Sequence, residues 1–468
     1  MGIQVNDQLI HEIKTKINLT DVVGEYTRVE ADGNNFKCCC PLPGHQEKTP
    51  SFTIFGPSEK AEWQTMYCFG CHAGNREETG IGNDVISFVM AMENMSFIEA
   101  CQYLCDKYGI PYQNAEVNPE ILAQKKKKTD ENLKYHANLM SNQLVQKYLM
   151  DRGVRTESFR KFRLGLTYVN EYQGWKRNRL VFGITDTHYD VTKASTVAFG
   201  FRSLQGQIET PDGMEYFPND MPDVKYRNDP ESNIFDKGKT LYGLNYAIPA
   251  IRKKKFAIVV EGYMDVILMH QAGFENTVAP LGTSFTDAQM DLVRKYTDQL
   301  LFFLDSDNAG LKSMQRVLPR LLEKGFSVLV VEAPHGYDPA DLVNSLGQDS
   351  VAVQNYIKNN STPALQWYVE KSLKVYDAIV HKAKVEALNS ILPIIDKVAH
   401  RESQIAYISN ISNRIGVDAS AMLMTRPQPH EEPKEEKATV FKQAVPTSAV
   451  VSAKAQQQLK MWSPPNRQ

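Results

Sequence analysis

Three apolar runs in the second half of this chain each end in carboxylates: F-A-I-V-V-E-G-Y-M-D (256–265), L-L-F-F-L-D-S-D-N-A-G (300–310) and V-L-V-V-E-A-P-H-G-Y-D-P-A-D-L (328–342). Near-continuous stretches of β-branched and aromatic residues belong to parallel strands buried on both faces. Such strands must be joined by right-handed crossovers, here through helices expected near 286–297 and 309–324. In an open sheet of this kind ligands bind beyond the carboxyl ends of the strands, so Glu261, Asp305, Asp307 and Asp338 are expected to converge there. Carboxylates gathered in one place raise each other's pKa unless a cation neutralises them. Hard oxygen donors suit Mg²⁺ or Mn²⁺ shared with substrate phosphates, which points to phosphoryl chemistry. A lone strand-end Asp is more often a helix cap, and only the ordered set argues for a site. Asp265, one turn into the next helix, has a dipole-stabilising role open to it as well.

The cysteines make a second constellation. Seven are present, an odd number, and all lie between Cys38 and Cys105, which argues for metal ligation rather than a disulfide framework. Cys68 and Cys71 form a C-x-x-C knuckle, and Cys40 with His45 completes a tetrahedral donor set for one structural Zn²⁺. Cys38 or Cys39 is an alternative to Cys40, and His72 a weaker alternative to His45. Between the pairs, S-F-T-I-F (51–55) and W-Q-T-M-Y (63–67) alternate like ribbon strands. Lys48, Phe52, Phe55, Trp63, Tyr67 and Phe69 mix charge with aromatic faces, a combination that holds single strands, although half of these rings are expected in the ribbon core. Cys101 and Cys105, at i and i+4 of an amphipathic helix, read as buried packing.

In order, C-P-L-P-G-H, E-K-T-P-S-F, C-F-G-C, K-Y-R-N-D-P-E-S-N-I-F-D-K-G-K-T-L-Y-G-L (225–244), E-G-Y-M-D, L-G-T-S (281–284), D-S-D-N-A-G and D-P-A-D-L resemble bacterial and phage DnaG-type primases, the last four being similar to a Toprim domain. Four residues separate Cys40 from His45 where the family has two, and Ala340 stands where the family often has a second acid, so either Asp341 replaces that ligand or it is missing. The resemblance implies a multidomain α+β and α/β chain: a zinc-binding domain (1–113), a linker (114–130), a mixed α/β basic subdomain (131–250), a Toprim parallel-sheet domain (251–342), a helical subdomain (343–424) and a disordered tail (425–468). It assigns Arg202, Lys225, Tyr226, Asn228 and Lys237 to the nucleotide and template site. Other cations spaced through that subdomain include Arg152 and Lys176 to Arg179, while Arg316 and Lys324 read as surface helix charges. The run K-K-K-K (125–128) reads as solvated tether or helix surface.

Charge is nearly balanced, 53 Lys and Arg against 55 Asp and Glu, so nucleic-acid contacts must come from local patches. No apolar stretch approaches the roughly 20 residues that span a membrane, and the N-terminus has no signal-peptide pattern, so a cytoplasmic protein without membrane contact is expected. Beyond Arg426 the chain turns too polar for a core, and no complete helicase-binding domain is expected there.

The reaction implied by the resemblance is de novo RNA primer synthesis on single-stranded DNA from ribonucleoside triphosphates. Asp305, Asp307 and Asp338 would hold the metal, Glu261 would act as a further ligand or as base for the 3′-hydroxyl, and the loop Gly282, Thr283, Ser284 would donate hydrogen bonds to substrate. The expected form is a monomer working beside a replicative helicase. The alternatives are a DNA-cleaving Toprim nuclease or topoisomerase, and a non-catalytic zinc-ribbon scaffold.

Overall fold

The computed structural model describes residues 3–43, 45, 47–59, 61–113, 118–167, 179–188, 191–204, 224–282, 284–305, 308–375, 391–398 and 401–415. The chain divides into two compact units, Met1–Ala123 with His188–Asp190, and the remainder.

In the first unit, strands β1 (Glu30–Asp32), β2 (Asn35–Cys38), β3 (Phe52–Phe55) and β4 (Thr65–Cys68) form an antiparallel sheet in sequence order. The expected ribbon pair is β3 and β4, with Phe52 opposite Cys68 and Ile54 opposite Met66. Their inward residues pack with Phe88 and Val89 of the helix Val85–Glu93. The helix Phe97–Tyr108 starts at a capping box between Ser96 and Glu99 and buries Cys101 and Cys105.

The second unit holds two sheets. Strands β5 (Leu164–Leu166), β6 (Arg179–Thr185), β7 (Thr196–Ser203) and β8 (Tyr226–Asn228) make an antiparallel meander. The other sheet contains β9 (Ala257–Val259), β10 (Thr277–Val278), β11 (Gln299–Leu304), β12 (Ser327–Glu332) and β13 (Thr362–Pro363), in the order β10-β9-β11-β12-β13. Four of its strands are parallel, as the apolar runs require, and the helices Asp287–Arg294 and Asn308–Glu323 lie near the expected positions. The antiparallel edge strand β13 was not expected and carries the sheet past residue 342. Ring packing between Phe182 of β6 and Tyr263, stacked at 4.7 Å, belongs to a core shared by the meander and the helix Tyr263–Gln271.

The linker reading of 114–130 needs correction from residue 118 onward. A helix runs over Pro119–Met140 and takes in the lysine run. Asn118 Oδ1 accepts the Glu120 N–H at 2.9 Å and proline sits at the first helical position, a start signal that the lysine run obscured. Lys125 and Lys128, on one face, pair with Asp186 at 2.8 Å and Asp229 at 2.7 Å. Asn132, His136 and Asn138 then reach the carbonyls of Arg163, Leu164 and Leu166, covering the edge strand β5. In the helical C-terminal region the described helices include Ser350–Asn360, Ala364–Val375 and Arg401–Ile415. The tail from 425 lies outside the described residues. Among the described residues no helix is long and apolar enough to cross a membrane.

Candidate metal and nucleotide sites

In the first unit the loop after β2 and the knuckle after β4 bring Cys40, His45, Cys68 and Cys71 together, with ligand atoms all within 4.8 Å of one another. Cys40 Sγ lies 3.9 Å from Cys71 Sγ, and Cys68 Sγ 3.5 Å from His45 Nδ1. A tetrahedral zinc ion with ordinary bond lengths would place sulfurs about 3.8 Å apart and sulfur and nitrogen about 3.6 Å apart. The donor set therefore fits zinc. Cys38 is instead in β2 opposite Phe52, buried in the core, where burial pushes its thiol up to about 12. His72 turns away to Glu78, with Nδ1 2.8 Å from its carboxylate.

Glu47 organises the surroundings. Its carboxylate accepts the Cys40 N–H at 2.7 Å and the Ser51 N–H at 3.0 Å, and lies 3.4 Å from His45 Nε2, leaving Nδ1 toward the cysteines. This is the outer-shell arrangement that fixes the orientation of a ligating imidazole. Burial opposes ionisation of Cys68, but the Ser51 hydroxyl and the N–H groups of Cys71 and Gly70 outweigh it and bring the thiol to about 7. Gly70 has no alternative: a Cβ there would stand 2.5 Å from His45 Cε1.

In the second unit two of the described acids sit at strand tips, while Asp338 lies in the loop beyond β12 at a helix start. Asp305 directly follows β11, Glu261 lies two residues beyond β9, and Asp338 caps the helix Pro339–Ser345 by accepting the Asp341 N–H at 2.7 Å. Asp307 and Thr283 lie outside the described residues. Asp265 is buried, and its carboxylate accepts the Gly262 N–H at 2.9 Å and the Ala340 N–H at 3.1 Å, which ties the tip after β9 to the D-P-A-D turn. Burial and then the charges of Asp338 and Asp305 hold Asp265 well above the usual carboxylate range. Burial also raises Asp338, with the Asp341 charge adding to it, while its own bond from the Asp341 N–H and the cations Arg152 and Lys225 work against this. The Asp341 side chain itself is exposed. Among the described residues only the Cys/His group converges as tightly as a closed metal cage; the carboxylates form an open cluster.

The basic residues divide into two kinds. Lys225 is exposed and faces Asp338, and so does Arg152, which sequence reasoning noted as a spaced cation but assigned no role. Arg152 is placed by a bolted turn: Asn344 donates to its carbonyl at 3.0 Å, and Gln271 and Gln348 donate to that of Gly153 at 2.9 and 2.6 Å. At Gly153, with φ of 83°, a Cβ would meet Asn344 Oδ1 at 2.1 Å. Only the tertiary contact reveals this role. Arg202, by contrast, is buried and donates to the Tyr226 hydroxyl, stacking 5.1 Å from that ring. Asn228 spends its amide on the Leu281 carbonyl at 2.8 Å and its oxygen on the Tyr263 hydroxyl, so it braces the loop at Gly282. Lys237 is exposed, and its carbonyl accepts from Gln289 at 3.0 Å. Lys176 to Asn178 lie outside the described residues, and Arg179 is buried beneath the Val224 carbonyl.

Three family models match the chain: the CHC2 zinc finger over residues 5–120, the DNA primase catalytic core N-terminal domain over 170–248, and a Toprim-like domain over 258–343. A DNA primase from Aquifex aeolicus is 31% identical over 355 residues, an alignment covering 73% of this chain and 67% of the relative. The solved zinc-binding and RNA polymerase domains of an Aquifex aeolicus primase superpose with a TM-score of 0.51 at 27% identity, covering 89% of this chain and 99% of that one. A DnaG primase catalytic domain solved bound to single-stranded DNA gives a TM-score of 0.51 at 25% identity, covering 65% of this chain and all 100% of the other.

Proposed function

This chain belongs to the DnaG-type DNA primases, and from that premise we propose which of its residues carry the reaction. The protein is a nucleotidyltransferase that makes RNA primers on a single-stranded DNA template for replication. The matches favour neither a DNA-cleaving enzyme nor a non-catalytic scaffold. Ribonucleoside triphosphates are the proposed substrates, with a replicative helicase as partner.

Cys40, His45, Cys68 and Cys71 are proposed to hold one structural zinc ion with no open position. Asp305 and Asp338, joined by Asp307 and Glu261, are proposed to hold Mg²⁺ or Mn²⁺. When bound, that cation would supply charge neutralisation at the reacting phosphate. The observation that supports this reading best is the mixed charge around Asp338, where the carboxylates of Asp341 and Asp265 and the cations Arg152 and Lys225 all act on one group. A triphosphate needs both, cations for its oxygens and a metal-binding edge at the phosphorus. Asp265 serves as a positioning residue, since both its oxygens are spent on backbone N–H groups that hold two tips together. Glu261, exposed two residues beyond β9, is proposed to take the proton of the attacking 3′-hydroxyl or to complete the metal shell.

The test is a gel. Labelled ribonucleotides and single-stranded DNA should yield short RNA made de novo; nicked DNA or no product at all would refute the assignment.

A further inference from the structure

The helix Asn308–Glu323 and its C-cap carry four cations at four-residue spacing: Lys312, Arg316, Arg320 and Lys324. That interval puts them on one stripe of the helix surface. The distal two are neutralised, Arg320 by Asp287 at 2.7 Å and Lys324 by Asp291 at 2.5 Å, both acids on the neighbouring helix Asp287–Arg294. The proximal two differ. Lys312 and Arg316 are exposed, and among the described residues neither has an ion-pair partner. Both line a cavity of about 490 Å³ whose other walls include Glu261, Ser284, Phe285 and Phe302. The stripe is thus paired where it crosses its neighbour and unpaired where it reaches the strand tips.

A cavity of this size with an apolar floor and a few polar groups suits a small molecule rather than a continuous strand, which would need an open track. Two unneutralised cations at its wall select an anion, and phosphate oxygens match a guanidinium and an ammonium side by side. Arg152 and Lys225, which do not line this cavity, already act on Asp338. The first bond of a primer needs two triphosphates in the site at once. In that step the 3′-oxygen of the initiating nucleotide forms a bond to the α-phosphorus of the incoming one. The α–β P–O bond breaks, pyrophosphate leaves with the electron pair, and the hydroxyl proton passes to a base. The initiating nucleotide keeps its own 5′-triphosphate throughout. We propose that the cavity bounded by Lys312 and Arg316 holds the initiating ribonucleotide, with these two side chains gripping its unreacted 5′-triphosphate.

This inference rests on the primase reading, and the experiment separates the two. Wild-type protein and the Lys312→Ala/Arg316→Ala variant are compared in two reactions on the same template: dinucleotide formation from ribonucleoside triphosphates, and extension of a supplied RNA primer with a 5′-hydroxyl end. The expected result is a fall of about tenfold or more in the ratio of the first rate to the second, the size set by charge-assisted bonds to phosphate. The preference for a triphosphate over a monophosphate as initiating nucleotide should fall with it, and Lys312→Arg/Arg316→Lys should restore both. Equal loss in the two reactions, loss of template affinity in step with them, or an unchanged ratio would each overturn the proposal. Absence of both products in the wild type would instead overturn the primase reading.

Discussion

The zinc-type cluster of the first unit and the acid cluster of the second use charged ligands in opposite ways. Cys40, His45, Cys68 and Cys71 stand within 4.8 Å of each other, with Glu47 buttressing two of the loops that carry them. Nothing more is needed for four-coordination. Asp305 and Asp338 both act on Asp265; burial and those charges hold its carboxyl well above the usual range, while two backbone N–H bonds offset part of that rise. On the proposed reading that cluster stays short of positive charge until a divalent metal binds. A closed donor set makes the metal part of the fold, whereas an open one makes it part of the substrate complex.

The contrast predicts its own largest effect. Cys68→Ser or Cys71→Ser should release zinc from a site holding one ion per chain and unfold the first unit, because metal binding at such sites is worth about 10–16 kcal/mol of folding free energy. Metal analysis with near-ultraviolet circular dichroism checks both halves; a folded, zinc-free variant would erase the distinction. Asp305→Asn should do the reverse. Removing one repelling charge leaves stability equal or higher while primer synthesis drops about a hundred- to thousandfold, the rate equivalent of several kcal/mol of charge stabilisation. Loss of melting temperature together with activity would make the acids structural.

The two clusters were also unequally legible in the sequence. Asp305 and Glu261 could be placed from chemistry alone, since an apolar parallel strand fixes where its carboxyl end must be. The zinc donors were ambiguous, because three adjacent cysteines offer themselves and only the register of β2, which turns Cys38 into the core opposite Phe52, leaves Cys40 at the loop. Single cations carry almost no signal. Arg152 acquires its place from Asn344, almost two hundred residues away in sequence, and Arg202 proved to be a buried brace for Tyr226. The helix start at Asn118-Pro119-Glu120 was readable, yet the lysine run that follows suggested a solvated tether, and pairing with Asp186 and Asp229 decided otherwise.

A smaller change probes how closed the zinc site is. Glu47→Gln keeps the shape but weakens the acceptor for the Cys40 and Ser51 N–H groups and removes the charge beside His45. Outer-shell losses of this kind typically cost about 10–100-fold in metal affinity. Competition with a zinc chelator should show that shift with the fold retained at saturating zinc. No shift would mean that Glu47 only shapes the loop.

Acid separates the two units by different routes. In the first, protons compete with metal for the ligands, so unfolding below neutrality should coincide with zinc release. The second contains His270, fully buried beside the parallel sheet, with Nε2 2.9 Å from the Thr277 carbonyl. Burial, helped by the Lys161 charge, depresses this imidazole to about 3 against an ordinary value of 6.5. Well above pH 6.5 the group is neutral in both states and its contribution is complete. Between 6.5 and about 3 the unfolded chain takes up a proton that the folded one refuses, so stability falls as pH falls, by about 1.4 kcal/mol for each pH unit. His270→Gln keeps a donor for the Thr277 carbonyl and cannot titrate. Denaturant unfolding of the second unit at pH 6.5 and 5.5 should therefore show a drop about 1 kcal/mol larger in the parent than in the variant, with zinc content identical in both. An equal drop would place the acid sensitivity elsewhere, and a change in zinc content would mean that the two units do not respond independently.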